Sequence, residues 1–136
     1  MHHCPPRTSA AHRLRAAAAA AGVRRATWAL AAAGLIAGIV LAPGGLPWWL
    51  VLAVGLAPDV PLLTGFTPGL AQGQLAPAAV PAYNALHRAW GPLALFVVAL
   101  LLERALLAPA LAWGAHIAWD RALGYGLRDR RGFQRG

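Results

Sequence analysis

Four apolar runs divide the chain: "ATWALAAAGLIAGIVLA" over residues 26–42, "PWWLVLAVGLAPDVPLL" from Pro47, "PAYNALHRAWGPLALFVVALLL" from Pro81, and "LLAPALAWGAHIAWDRALGYGL" ending at Leu127. None alternates apolar with polar positions as a half-buried strand would, and no fixed-period repeat is visible, so each run predicts a helix. The expected helices cover about 26–42, 47–64, 81–104 and 108–127. Pro47 suits a helix first turn, and Trp48 and Trp49 beside it suit an interfacial aromatic belt. Pro58 and Pro61 bracket Asp59; proline lacks a backbone donor and restricts the residue before it, which places Asp59 on a broken turn. Gly91-Pro92 predicts a kink in the third helix. The first run could pass for the core of a signal peptide, but no A-x-A site follows and a second apolar run begins directly after "PGG".

The fold class that follows is all-α, a four-transmembrane-helix bundle spanning residues 24–129. Residues 1–23 form a basic, Ala-rich arm, expected to be flexible and outside the bilayer, in which Ser9 could cap an alanine helix. Residues 130–136 form a basic tail. "TGFTPGLAQGQLAPAAV" is a loop between the second and third helices. The "MHHC" tip holds two histidines and Cys4, but three residues at a chain end make a poor metal site, and a disordered start is the expectation there. A single cysteine excludes an intramolecular disulfide.

Composition strengthens the membrane assignment. Of 136 residues 59% are apolar, only four are acidic, and the twelve basic residues are all arginine, giving a net charge of +8. The arginines cluster at the two ends, in "HRLRAAAAAAGVRR" and "GLRDRRGFQRG", with Arg88 and Arg104 between. They flank apolar runs rather than interleaving with aromatics, which points to anionic lipid headgroups and not to nucleic acid. Both basic ends on one side fit an even number of spans with both termini cytoplasmic. The implied partner is the lipid bilayer; small residues on every span allow close helix packing and admit a homo-oligomer. Protein partners are not legible.

Not all the charge can lie outside the bilayer. A span needs about 20 residues to cross roughly 30 Å of hydrocarbon. The rise from Arg88 to Glu103 is only about 21 Å, from Pro109 to His116 about 10 Å, to Asp120 about 16 Å, and from Pro47 to Asp59 about 18 Å. With the second and fourth helices parallel and the third returning, Asp59, His87 and Asp120 fall in the same half of the membrane, the cytoplasmic half, with His116 one turn deeper. His116 and Asp120 are four apart and share a helix face; Asn84, His87 and Arg88 share another. Ionisable groups in a span point at one another or at a water-filled cavity. A buried polar cluster of Asp59, His87, His116 and Asp120 is therefore expected.

Two readings of that cluster stand open. In one it binds a divalent metal, zinc or manganese, with the imidazoles giving nitrogen, the carboxylates oxygen, and a water as nucleophile. In the other it is a structural network, Asp120 with Arg88 or Arg121 and His116 with Asp59 or a carbonyl, holding short spans together. Tyr83, Asn84, Arg88, Arg121 and Tyr125 are the expected supporting residues, with Tyr83 and Asn84 as hydrogen-bond donors to the ligands. Glu103-Arg104 reads as a solvated pair. There is no nucleotide-binding glycine loop, no G-x-S-x-G elbow and no C-x-x-C, so nucleotide-dependent phosphoryl transfer has no support.

Three stretches, "WWLVLAVGLAPDVPLLTGF", "AYNALHRAWGPLAL" and "LAWGAHIAWDRALGYGLR", resemble a family of small bacterial four-helix integral membrane proteins known as a domain of unknown function, with P-D, Y-N-x-x-H and A-H-x-x-x-D-R-x-L-G-Y-G-L in that order. The resemblance covers residues 24 to 133 and implies that Pro58, Asp59, Tyr83, Asn84, His87, His116, Asp120, Arg121, Gly124, Tyr125 and Gly126 occupy signature positions. It departs from the family pattern at "RRATWA", where an acidic residue is usual, and in the less polar tail "GFQRG". A more distant similarity, in the order Asp, His, then H-x-x-x-D, is to inner-membrane proteins regarded as metal-dependent hydrolases. The function expected is therefore a membrane-embedded metal-dependent hydrolase acting on lipid-like substrates, or alternatively a non-enzymatic membrane subunit or small-solute carrier whose His/Asp/Arg network is structural.

Overall fold

The computed structural model describes residues 8–42 and 44–135. The "MHHC" tip, the side chain of Ser9 and Pro43 of the "PGG" turn lie outside the described part. The described residues are mainly helical: α1 (Thr8–Leu41), α2 (Trp48–Leu56), α3 (Val60–Gly65), α4 (Val80–Leu86), α5 (Trp90–Leu101) and α6 (Leu107–Leu123), with short 3-10 turns at Ala57–Asp59, Pro77–Ala79 and Arg104–Leu106. Three helical segments are long and apolar enough to cross a membrane, Ala10–Leu41, Trp48–Gly65 and Pro77–Leu101. Their outer faces carry Leu30, Val40, Trp48, Leu63 and Leu101 largely exposed, a surface suited to hydrocarbon rather than water.

The arm expected over residues 1–23 is, from Thr8 on, the beginning of α1. Alanine is the strongest helix former, so the "RAAAAAAG" run carries helix straight into the first hydrophobic segment. At 34 residues α1 is about 51 Å long, well beyond the hydrocarbon thickness. The second expected helix is a rod of α2, a 3-10 turn and α3, and Asp59 sits in that turn between its two prolines. The third breaks at His87–Ala89, one turn ahead of the expected kink. Pro92 has no N–H to give the Arg88 carbonyl and its ring crowds that carbonyl, so the disruption falls four residues upstream of the proline.

α6 is the helix that the others surround. It packs against α1, α2 and α5, and Pro109, Ala110, Ala115, Ile117 and Ala118 on it are buried. Its 17 residues reach about 25 Å, short of a full hydrocarbon crossing. It stops at Leu123 rather than 127 because Gly124 adopts φ +92°, and the Tyr125 N–H returns to the Asp120 carbonyl at 2.8 Å. Glu103, expected in a solvated pair with Arg104, instead accepts from the Ala105 N–H at 3.1 Å and caps the turn leading into α6.

The basic tail is built into the fold. Leu127 and Arg135 join through a backbone hydrogen bond of 2.8 Å, Arg128 and Gln134 form an isolated antiparallel bridge, and the Asp129 carboxylate accepts from the N–H groups of Arg131 and Phe133 at 2.9 Å each. The Phe133 bond is the main reason that the Asp129 carboxyl titrates below the ordinary carboxylate range. This turn seats on the loop before α4: the Leu75 N–H donates to the Gly132 carbonyl at 3.0 Å, and Gln74 Nε2 donates to the Arg131 carbonyl at 2.8 Å. Leu75, Val80 and Tyr83 make the small buried core beneath it.

Gly132 has φ +95°, and a Cβ there would overlap the Leu75 carbonyl. Gly132→Ala is expected to cost about 1–2 kcal/mol for the backbone conformation alone, and to undock the tail. Limited tryptic digestion in detergent should cut after Arg130 and Arg131 faster than in the parent; an unchanged cleavage rate would contradict this role for Gly132.

Candidate metal centre

The 3-10 turn after α2 brings Asp59 in, the last turn of α4 brings His87, and one face of α6 brings His116 and Asp120. His87 Nε2 lies 3.5 Å from Asp59 Oδ1 and 3.2 Å from Asp120 Oδ2; His116 Nε2 lies 3.6 Å and 3.7 Å from the same two oxygens. Each imidazole nitrogen thus faces both carboxylates. Burial is graded, with His87 fully buried, His116 and Asp120 at 13% and 17% exposure, and Asp59 at 44%. Asp59 is the cluster's most exposed member.

Orientation of His87 is set from behind. Its Nδ1 lies 2.9 Å from the Tyr83 carbonyl one helical turn back. A carbonyl only accepts, so Nδ1 carries a proton and, in the neutral ring, Nε2 keeps its lone pair toward the carboxylates. The Tyr83 ring stacks on the His87 ring at 3.9 Å, with the Arg128 guanidinium 5.0 Å from the other ring's centroid, that of Tyr83. His116 meets His87 edge-on at 5.4 Å.

Neither ring Nε2 has a hydrogen-bond partner. Among the described residues, no arginine pairs with Asp59 or Asp120. Arg121, a candidate partner of Asp120 in a structural network, donates to the backbone carbonyls of Tyr125 at 2.9 Å and His87 at 3.1 Å, while Arg88 is exposed. The cluster is therefore two carboxylates and two inward-facing ring nitrogens with no fixed positive charge among them. One ligand atom from each of Asp59, His87 and His116 lies within 4.8 Å of the others. Two imidazoles and a carboxylate are a donor set that zinc-like ions take, so these residues could hold one.

The supporting residues divide. Tyr83 acts through its backbone carbonyl and ring face rather than as the expected hydroxyl donor. Asn84 does not reach the cluster: its side chain donates to the Arg128 carbonyl at 2.9 Å and accepts from the Arg128 N–H at 2.8 Å, tying α4 to the tail. Tyr125 is exposed and contributes a carbonyl to Arg121. Arg88 has no place in the cluster. Arg128, buried and donating to the carbonyls of Gly73 and Gly132 at 2.9 and 2.7 Å, was hidden by its arginine-rich surroundings, which read as headgroup contacts. Trp113, whose Nε1 donates to the Leu86 carbonyl at 2.8 Å, satisfies a carbonyl just before the α4–α5 break and could have been noticed as an indole inside a span.

A family model covers residues 23–136, from the last turns of the arm through the tail that closes over Tyr83. The chain belongs to the DUF4260 family, a domain of unknown function. No curated protein and no solved structure matches it. The matched DUF4260 region contains all four converging side chains and the Asn84–Arg128 clamp.

Asn84→Ala removes both bonds of that clamp and is expected to lower stability by about 2 kcal/mol. Thermal unfolding in detergent checks it, and side-chain nitrogen resonances of His87 should move with the loosened tail. A midpoint and a His87 spectrum both equal to the parent's would contradict the link from tail to cluster.

Proposed function

We propose that this DUF4260 protein is a four-span bundle of the inner membrane, both termini cytoplasmic, whose cytoplasmic-side cluster binds one divalent transition metal and hydrolyses lipid-like substrates. The observation that carries the reading is the pair of buried, unpartnered Nε2 atoms facing two carboxylates with no arginine to neutralise them. Two carboxylates that share one oxygen pair between two imidazoles, one of them largely buried, attract a cation, and a divalent ion would use the nitrogens as well.

Asp59, His87 and His116 would hold the ion, three protein ligands being the number that leaves a catalytic position open. Bound there, a zinc-like ion supplies Lewis-acid activation of a water and of a substrate oxygen. The chain's own part is threefold. The Tyr83 carbonyl holds the Nδ1 proton and so presents the His87 lone pair. The Tyr83 ring and buried helix faces restrict water on the His87 side. Asp120 Oδ2, beyond the three-ligand set, accepts the proton of the attacking water as general base.

Purified protein incubated with Zn²⁺ or Mn²⁺ at neutral pH and then desalted is expected to keep one ion per chain by elemental analysis. His116→Ala should lose it, while Asp120→Asn should keep it and lose ester or phosphoester hydrolysis against a membrane lipid extract. Protein that stays metal-free leaves the non-enzymatic reading, a membrane subunit or carrier with a structural cluster.

For the topology, reporter fusions at residue 136 and in the Gly44-Gly45 turn are expected on opposite sides of the membrane. Both on the same side would sink the four-span arrangement.

A further inference from the structure

Two cavities flank α6. The larger, about 760 Å³, lies between α1, α2 and α6 and runs from His116 and Trp119 toward Ala105 and the turn before α2. The smaller, about 420 Å³, lies between α1, α5 and α6 and has no ionisable residue in its wall. In the larger one His116 is the ionisable residue of an otherwise apolar lining, and its Nε2 belongs to the polar cluster. That cavity and the candidate metal centre thus share the His116 side chain. Its outer flank is formed by Val40, Trp48 and Leu52, exposed by 80%, 76% and 52%, so it opens sideways toward hydrocarbon and not along the helix axes.

We propose that this cavity is the acyl-chain subsite of a lipid drawn laterally from the surrounding leaflet, with the polar end of the chain at His116. Shape and polarity agree. From His116 to Ala105 the wall is about 16 Å long by helical rise, the length of an extended chain of roughly fourteen carbons, since a C–C bond of about 1.5 Å advances only about 1.25 Å along a zigzag. The volume is in the range of ligand pockets that bury most of their occupant. The cavity runs from His116, midway along α6, to Ala105 just before its first turn and to the Gly44-Gly45 turn. Small side chains, Gly55, Ala108 and Ala112, make the inner wall and leave the space that the chain fills. The smaller cavity has the same apolar character but no polar end, and serves as the internal control. The inference rests on the hydrolase reading for the direction of the chain, yet occupancy by the chain does not require the ion.

The test uses the full-length protein in phosphatidylcholine nanodiscs with a lysophosphatidylcholine that carries a diazirine on its acyl chain, with and without Zn²⁺. Photolabelling is expected to saturate, to map to Leu52, Ala108 and neighbouring positions, and to be displaced by unlabelled lysophosphatidylcholine. Ala108→Phe, which fills the cavity, should lower the saturable fraction about tenfold, as losing two buried methylenes would. Ile36→Trp fills the same space from the lipid-facing rim and guards against a folding defect at Ala108. Leu93→Phe, in the smaller cavity, should leave the labelling unchanged. Labelling spread over all outward helix faces, linear in probe and indifferent to Ala108→Phe, means ordinary surrounding lipid and overturns the subsite. Cross-linked pairs of chains in place of lipid adducts would mean that a second copy covers the groove, and also overturn it. Saturable labelling in a protein that retains no metal upholds the subsite and counts against the hydrolase reading alone.

Discussion

Two carboxylates and two imidazoles converge where apolar helices leave little room for water, and the surrounding structure depends on how that charge is met. Left alone, Asp59 and Asp120 would repel each other and the two ring lone pairs. Arginines are plentiful in this chain, yet Arg121 spends its donors on carbonyls at the ends of α4 and α6, and Arg128 spends its own on the loop and the tail. Both of these arginines are thus committed to backbone carbonyls. A divalent ion, as proposed, supplies the missing charge without demanding another side chain. Removing it should leave the helices in place and the cluster strained, since the groups that position the ligands are backbone carbonyls and packed rings.

The tail links that cluster to the rest of the molecule. Asn84 grips the backbone of Arg128 on both its N–H and its carbonyl, Arg128 covers Tyr83, and Tyr83 in turn stacks on His87 and accepts its Nδ1 proton. Each contact is ordinary in strength. In series they hold one imidazole at a fixed angle from a position forty residues away in the chain, which a lone helix with a break at His87–Ala89 could not do. The Gly124 turn makes the series reachable by ending α6 early and sending the chain back over α4.

Much of this was legible before any coordinates. The four apolar runs became helices near their expected positions, because long apolar segments with few charges have few alternatives to helix. Asp59, His87, His116 and Asp120 were identified from depth and helix face alone, since an ionisable group in a short span has nowhere else to point. What was illegible depended on contacts between distant residues. The tail read as headgroup contacts because arginines flanking apolar runs usually are, and nothing local distinguishes Arg128 from Arg130 or Arg131. Asn84 read as a donor to the cluster because it is three residues from His87, whereas its partner is backbone from the far end of the chain. The arm read as separate because its charge differs from that of the next segment, although alanine carries the helix through both.

Zinc K-edge X-ray absorption of the loaded protein in detergent most directly tests whether this cluster is a metal centre. The expected spectrum has a first shell of nitrogen and oxygen at about 2.0–2.1 Å, with outer-shell scattering from two imidazoles that falls to one in His116→Ala. A first shell of oxygen alone, with no imidazole scattering and no change on that substitution, would contradict the assignment of His87 and His116 as ligands.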